Sequence, residues 1–209
     1  MYIPPAFLET DLLTLHDFIE HNSFGLLVSQ VDGSPFATHL PFLLERESGR
    51  FGTLVGHTAL ANPQCRQAGE QSVLSIFSGP HVYVSPTWYA AENVVPTWNY
   101  VAVHCLGKLR IIDDPKTLKN IVSRTTEFYE RAMPVPWSFD GSPTFAERML
   151  SQIVGFRMEI ESIEGKWKLN QNHSTERQQK VISSLQAKPD ANSQAVAKLM
   201  QSRTGVSGR

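Results

Sequence analysis

The sequence predicts a mainly β fold with helices (α+β), a small antiparallel barrel carrying helical decorations. Three observations lead there. Roughly six or seven apolar segments alternate with turn residues such as Asp32-Gly33 and Ser78-Gly79-Pro80. Helical periodicity is confined to short stretches between and after them. Strands do not alternate regularly with helices and no Gly-rich phosphate loop follows a strand, which disfavours a parallel doubly wound sheet.

The elements follow in order. Leu12, Leu13, Leu15, Phe18 and Ile19 recur at helical spacing within Thr10–Asn22, with Thr10 or Asp11 as cap. Phe24–Gln30 then reads as a strand, Asp32-Gly33 as a tight hairpin turn and Phe36–Leu44 as the return strand. A strand over Phe51–His57 is followed by a small helix around Leu60–Ala68. Val73–Phe77 is expected to end at Ser78-Gly79-Pro80, and Val82–Ser85 to start afresh. A long strand runs from about Pro96 to Ile112, and Asp114-Pro115 opens a helix whose apolar face is Leu118, Ile121, Val122 and Phe128. After a Pro-rich connection and another short helix, Val154, Phe156, Met158 and Ile160 alternate with polar residues, the pattern of a half-buried strand. Beyond Asn172 the aromatics vanish, and Val181, Ile182 and Leu185, then Val196, Leu199 and Met200, predict two short amphipathic helices. The expected organisation is a barrel over residues 1–172 and a helical C-terminal extension over 173–209.

Composition removes several function classes. The 209 residues are 41% hydrophobic and 19% charged, with a formal net charge of −1, so nothing pulls the whole chain toward nucleic acid or an anionic membrane. Residues 173–209 hold six Lys or Arg against Glu176 and Asp190, a net of +4 spread over the tail. No apolar run approaches the roughly 20 residues of a membrane span. Met1–Pro5 lacks the basic start of a signal peptide, so the expectation is a cytoplasmic protein without membrane contact. Cys65 and Cys105 read as two reduced thiols, and the seven histidines show no metal-site spacing, so no metal is expected. No catalytic signature of the G-x-S-x-G, H-E-x-x-H or Walker type is present, and no catalytic residue is assigned.

Three segments concentrate polar and aromatic groups. Gly56-His57-Thr58 runs into Asn62-Pro63, a strand-to-helix turn that suits a phosphate but equally a simple helix cap. Tyr83 to Tyr100 contains Ser85, Trp88, Trp98 and Asn99; its aromatics suit the wall of a planar ligand or the anchors of a dimer interface. Within it, strand alternation puts Trp98 and Tyr100 on one side, Thr97 and Asn99 on the other. Gly165 to Asn172 sets Lys166 and Lys168 on one face and Trp167 on the other, either an anion contact or a solvated strand end.

In order along the chain, His57-x-x-x-Ala61-Asn62-Pro63-Gln64, Tyr83-x-Ser85-Pro86-x-Trp88-Tyr89, Pro96-Thr97-Trp98-Asn99-Tyr100 and Gly165-Lys166-x-Lys168-Leu169-x-Gln171-Asn172 closely resemble the PaiB family. That resemblance implies a split β-barrel of the FMN-binding type, related to the pyridoxamine-phosphate oxidase group, with FMN held in a homodimer. It implies phosphate neighbours at His57, Thr58 and Asn62, and further cofactor contacts at Ser85, Trp88, Trp98, Asn99, Lys166, Lys168 and Asn172. The family tends to be basic just before Ala-Asn-Pro and after Trp-Tyr, where this chain has Leu60 and Ala90-Ala91-Glu92. The implied function is negative transcriptional regulation, through DNA or a protein partner, although the charge balance gives DNA contact no support. The alternatives are an FMN-dependent oxidoreductase, a haem-handling split barrel using His57, His81 or His104, or a non-catalytic small-molecule binder.

Overall fold

A computed structural model describes residues 1–138 and 142–204. A 3-10 turn at Pro5–Phe7 leads into a two-residue strand β1 (Leu8–Glu9) and helix α1 (Leu12–His21). The hairpin β2 (Phe24–Val31) and β3 (Ser34–Pro41) turns on Asp32 and Gly33, whose positive φ angles of 52° and 76° are what a two-residue turn demands. The expected single return strand is split. The backbone leaves β2 at Pro41, Phe42 N–H donates to the Ser23 carbonyl, and β4 (Leu43–Glu45) pairs instead with β5 (Thr53–Ala59). A short α2 (Pro63–Gln67) follows.

The expected stop at Ser78-Gly79-Pro80 is absent. Strand β6 (Ser72–Val84) runs straight through it, because a proline removes only one ladder donor and its φ is already extended. Then come β7 (Thr97–Ile112), α3 (Pro115–Glu130) and α4 (Pro143–Leu150). Asp114 and Ser142 cap these two helices, accepting from Thr117 N–H and Phe145 N–H. Strand β8 (Ile153–Lys168) extends well past the alternating segment and takes in the two lysines. Helices α5 (Thr175–Gln186) and α6 (Ala191–Thr204) complete the chain.

The sheet has eight strands in the order β3-β2-β6-β7-β8-β5-β4, with β1 added on β8. Strand β2 runs antiparallel to β3 and β6, β5 antiparallel to β4 and β8, and β1 antiparallel to β8. Among the described residues the path does not close on itself. The fold class is α+β, of the split-barrel type. Among the described residues, no helix is long and apolar enough to cross a membrane.

Contacts divide the chain into two compact units. One comprises residues 12–77 and 104–163; its core is Leu15, Ile19, Leu27, Leu54, Phe77, Phe156 and Met158 around Phe42. The Phe42 ring meets Phe77 and Phe156 edge-on at centroid distances of 5.3 and 5.7 Å. Each such side chain contributes about 1.5–3 kcal/mol by leaving water. Glu45 ties three elements of this unit, accepting from Arg124 of α3 and Arg157 of β8 at 2.5 Å each. The other unit comprises 1–11, 78–103 and 164–209, with Val84, Tyr89, Val101, Val103, Trp167 and Leu169 buried alongside Val181, Ile182, Leu185 and Met200 of its helices.

At Gly107 of β7, a Cβ would lie 2.0 Å from the Glu159 carbonyl oxygen of β8, so only glycine permits this approach. Gly107→Ala must push two strands apart, an overpacking strain of about 3 kcal/mol. Thermal unfolding is expected to drop by roughly 6–12 °C; an unchanged midpoint would show that the strands are not so close.

Candidate functional site

The turn carrying His57, Thr58 and Asn62 lies in the unit of residues 12–77 and 104–163. Consecutive strand residues point to opposite faces, and β5 separates its two candidates accordingly. His57 pairs with Gly155 of β8, where an added Cβ would meet Leu118 and Ile121 of α3 at 3.3 Å, so His57 stands on the α3 face. Thr58 stands on the other face, with Asn62. There Asn62 caps α2, its Oδ1 accepting from Gln64 N–H at 2.9 Å while its Nδ2 donates to Thr38 Oγ1 and Thr58 Oγ1 at 3.0 and 3.3 Å.

Gln64, which is not among the expected site residues, is the buried centre of this network. Its Nε2 donates to the Leu27 carbonyl and Ser29 Oγ at 3.0 and 2.9 Å, and its Oε1 accepts from Thr38 Oγ1 at 2.6 Å. The side chains of Asn62 and Thr58 are thus engaged in holding the turn. His57 is different: its Nδ1 is buried without a hydrogen-bond partner among the described residues. Burial alone pushes the His57 pKa down, so the ring is neutral at physiological pH.

The remaining candidates lie in the other unit, on two faces of its strands. Trp98, 53% exposed, sits with Tyr83 at 6.0 Å and His81 at 6.3 Å between ring centroids. Tyr100 is on the same side of β7, and the Lys166 ammonium lies 5.2 Å from its ring. Lys166, only 8% exposed, also donates to the Tyr2 carbonyl at 3.0 Å, and Lys168 donates to Thr97 Oγ1. Burial, with the neighbouring Lys166 charge, lowers the Lys168 pKa. Neither lysine has a carboxylate partner among the described residues.

Asn99 is on the opposite face of β7, 0% exposed beneath α6, donating to Met200 Sδ while its Oδ1 goes unpaired among the described residues. Ser85 caps the 3-10 turn Pro86–Tyr89, and Trp88 in that turn lies 4.8 Å beneath the Lys188 ammonium. Asn172 is exposed just past the turn where Asn170, at φ 66°, donates to the Tyr89 hydroxyl at 2.9 Å. The structure therefore gathers Trp98, Lys166 and Lys168 on one face, with Tyr83 and Tyr100 beside them. Strand alternation is the sequence signal that sets Asn99 apart from that group.

Comparison with known proteins gives the family of the chain. Residues 1–162 match the family described as "Putative FMN-binding domain". The chain belongs to this FMN-binding family. It is 37% identical over 205 residues to "Protease synthase and sporulation protein PAI 2" of Bacillus subtilis, covering 97% of this chain and 98% of the relative. An uncharacterised protein of Aspergillus fumigatus is 29% identical over 254 residues, covering 97% of each. Two solved structures share the fold of this FMN-binding chain at 14% identity. The flavocytochrome Anf3 of Azotobacter vinelandii superposes with a TM-score of 0.60, over 77% of this chain and 69% of its own. The FAD and heme binding protein of Mycobacterium smegmatis gives 0.59, over 77% and 73%. Family membership makes FMN the cofactor, and two partly buried ammonium groups without carboxylates suit its anionic phosphate and ring edge.

The unpaired His57 gives a pH prediction. A histidine whose folded pKa is depressed binds protons more readily when unfolded, so its stabilising share is complete above the ordinary value of about 6.5 and is lost as pH falls below it. Melting temperatures between pH 8 and 5 are expected to fall more steeply in the wild type than in His57→Gln. His173, depressed by burial and by Arg177, titrates in both proteins and cancels in the comparison. Parallel slopes would show that His57 titrates normally.

Proposed function

We propose that this chain is an FMN-binding negative transcriptional regulator of the PaiB type, and that the aromatic face bearing Lys166 and Lys168 takes the flavin's anionic part. The observation that carries the reading is this pair of cations, Lys166 against the Tyr2 and Tyr100 rings and Lys168 on the Thr97 hydroxyl, left without carboxylates among the described residues. A charge held this way is expensive unless an anion completes it. Bound FMN supplies one- or two-electron redox chemistry. On this reading Lys166 and Lys168 donate to the anion, Trp98 covers apolar ring surface, and Ser85, Trp88 and Asn172 shape the neighbouring turns. The name of the Bacillus subtilis relative supports a role in controlling protease synthesis and sporulation. The reading includes a cytoplasmic homodimer, a flavin domain at 1–172 with a helical extension at 173–209, and a partner that is DNA or a protein.

FMN titration followed by flavin fluorescence tests the first half. Saturable quenching is expected in the micromolar range. Lys168→Met should weaken it about tenfold or more, the worth of one charge-assisted hydrogen bond. Alanine variants of His57, Thr58, Asn62 and Asn99 in the same titration assign their separate contributions. No saturation at high FMN would sink the flavin reading. For the regulatory half, transcripts are compared with and without the gene: a set that rises on deletion and falls on complementation is expected, and an unchanged profile would remove regulation while leaving the flavin result standing.

A further inference from the structure

Where the chain leaves β5, a hollow of about 360 Å³ opens between the start of α3 and the end of α4. Leu60, Pro115, Leu118, Leu150 and Ile153 supply its apolar surface, and all of them lie in the unit of residues 12–77 and 104–163. The volume is at the small end of the range for ligand sites. Leu60 N–H donates to the Gln152 carbonyl at 2.9 Å, which ties the β5 side of the hollow to the β8 side. Leu118 is 4% exposed and forms the floor, whereas Leu60 stands at the mouth, 47% exposed. A hydrocarbon group seated here would take from water the Leu60 surface that folding leaves wet.

Two carboxylates, Asp113 and Glu147, border the same hollow, and its lining holds no Lys, Arg or His among the described residues. Neither carboxylate makes an ion pair among the described residues. The first turn of α3 is answered by Asp114, not Asp113: Asp114 accepts from Thr117 N–H at 2.8 Å and Thr117 Oγ1 at 2.6 Å. Those bonds, with Lys116 close by, hold the Asp114 carboxyl below the usual carboxylate range. The other nearby cations face elsewhere. Arg148 lies over the Phe145 ring at 5.4 Å, and Lys119 lines an adjoining hollow that shares only Leu150 and Ile153 with this one. Ser151 Oγ is engaged, donating to the Arg148 carbonyl at 2.8 Å. Among the described residues, no third His, Cys, Asp or Glu joins the two carboxylates to make a metal centre. Aliphatic surface bordered by two unpaired carboxylates matches an organic cation: a hydrocarbon body for the leucines, and an ammonium with three donors for the acids.

We infer that this hollow is a binding site for a small apolar primary amine, its hydrocarbon part against Leu60, Leu118 and Ile153 and its ammonium at Asp113 and Glu147. The assignment uses none of the lysines and aromatic residues given to the flavin, so it stands whether or not that reading does. The test is isothermal titration calorimetry of the full chain with cyclohexylmethylamine at two temperatures, in excess FMN so that the probe does not meet an empty flavin site. Saturable 1:1 binding at about millimolar concentration or below is expected. Asp113→Asn and Glu147→Gln, both at exposed positions, should each weaken the amine about 3- to 10-fold, while leaving the neutral isostere cyclohexylmethanol within about twofold. Leu60→Ser removes apolar wall and should weaken amine and alcohol alike, by about 3-fold or more. No saturable heat at either temperature overturns the site. Amine binding that none of the three variants alters places the ligand elsewhere and also overturns it, and equal losses of amine and alcohol in the two acid variants overturn the ammonium assignment. Melting temperatures of the variants within a few degrees of wild type keep these outcomes free of unfolding.

Discussion

One close approach between two strands governs the register of the sheet and, through it, the placing of the candidate site. At Gly107 the backbone of β7 comes so near the Glu159 carbonyl of β8 that no side chain fits between them. Gly56 and Gly155 repeat the device on β5 and β8, with Phe156 packed over the first and Ile112, Leu118 and Ile121 over the second. Because β8 is held this tightly, its register with β5 runs unbroken from Thr53↔Glu159 to Ala59↔Ile153. A one-residue slip of β8 there would carry Phe156 and Met158 out of the core. The same strand continues to Gly165 and Lys166, which pair with β1. The alternation that puts both lysines on one face is thus inherited from a strand whose register is fixed elsewhere by packing.

Buried polar groups show the same economy in one place and its absence in another. Gln64 is 1% exposed, and both ends of its amide are satisfied, so it fastens the short α2 to the β2–β3 hairpin at little cost. His57 Nδ1, Asn99 Oδ1 and Ser193 Oγ are buried without partners among the described residues, each a penalty of about 1–3 kcal/mol where no water or ligand intervenes. Two of these three, His57 and Asn99, stand in the family motifs. Unsatisfied groups at such positions are what a protein tolerates where packing alone does not decide the residue.

The fold was largely legible because its signals are local. The Asp32-Gly33 turn, the Asp114-Pro115 helix start and the alternation from Val154 to Ile160 each name their element without tertiary help. The misses came where a global choice overrode local punctuation. Gly79-Pro80 reads as a stop, yet neighbouring strands carry β6 through it; Phe36–Leu44 reads as one strand, yet its end changes partner at Phe42. The candidate residues could be named by type from the sequence, while their orientation needed the structure. His57 and Thr58 are adjacent in sequence, and Trp98 and Asn99 likewise, so each pair had to divide between two faces once a strand was assumed. Gln64 and Tyr89 stand in the motifs, but residue type alone did not mark them as structural centres; that comes from what they reach across the fold.

The distribution of cations bears on which of them are available to an anion. Arg46, Arg124 and Arg157 are consumed by Asp17, Glu20 and Glu45 within one unit. The tail looks basic when its charges are summed along the sequence, but Lys180 is paired with Glu176, Arg203 with Glu9, and Lys188 lies over Trp88. Arg203 also lies 5.2 Å from the Trp167 ring, so its charge and its packing serve to hold α6 in place. A DNA contact by this tail would have to share or break those interactions, which lowers the number of phosphates it could neutralise and with it the salt dependence of any binding. Among the described residues, Lys166 and Lys168 have aromatic rings, a carbonyl and a hydroxyl around them instead of carboxylates. Cations in that setting keep most of their charge unanswered, and an incoming anion meets them without first displacing a carboxylate.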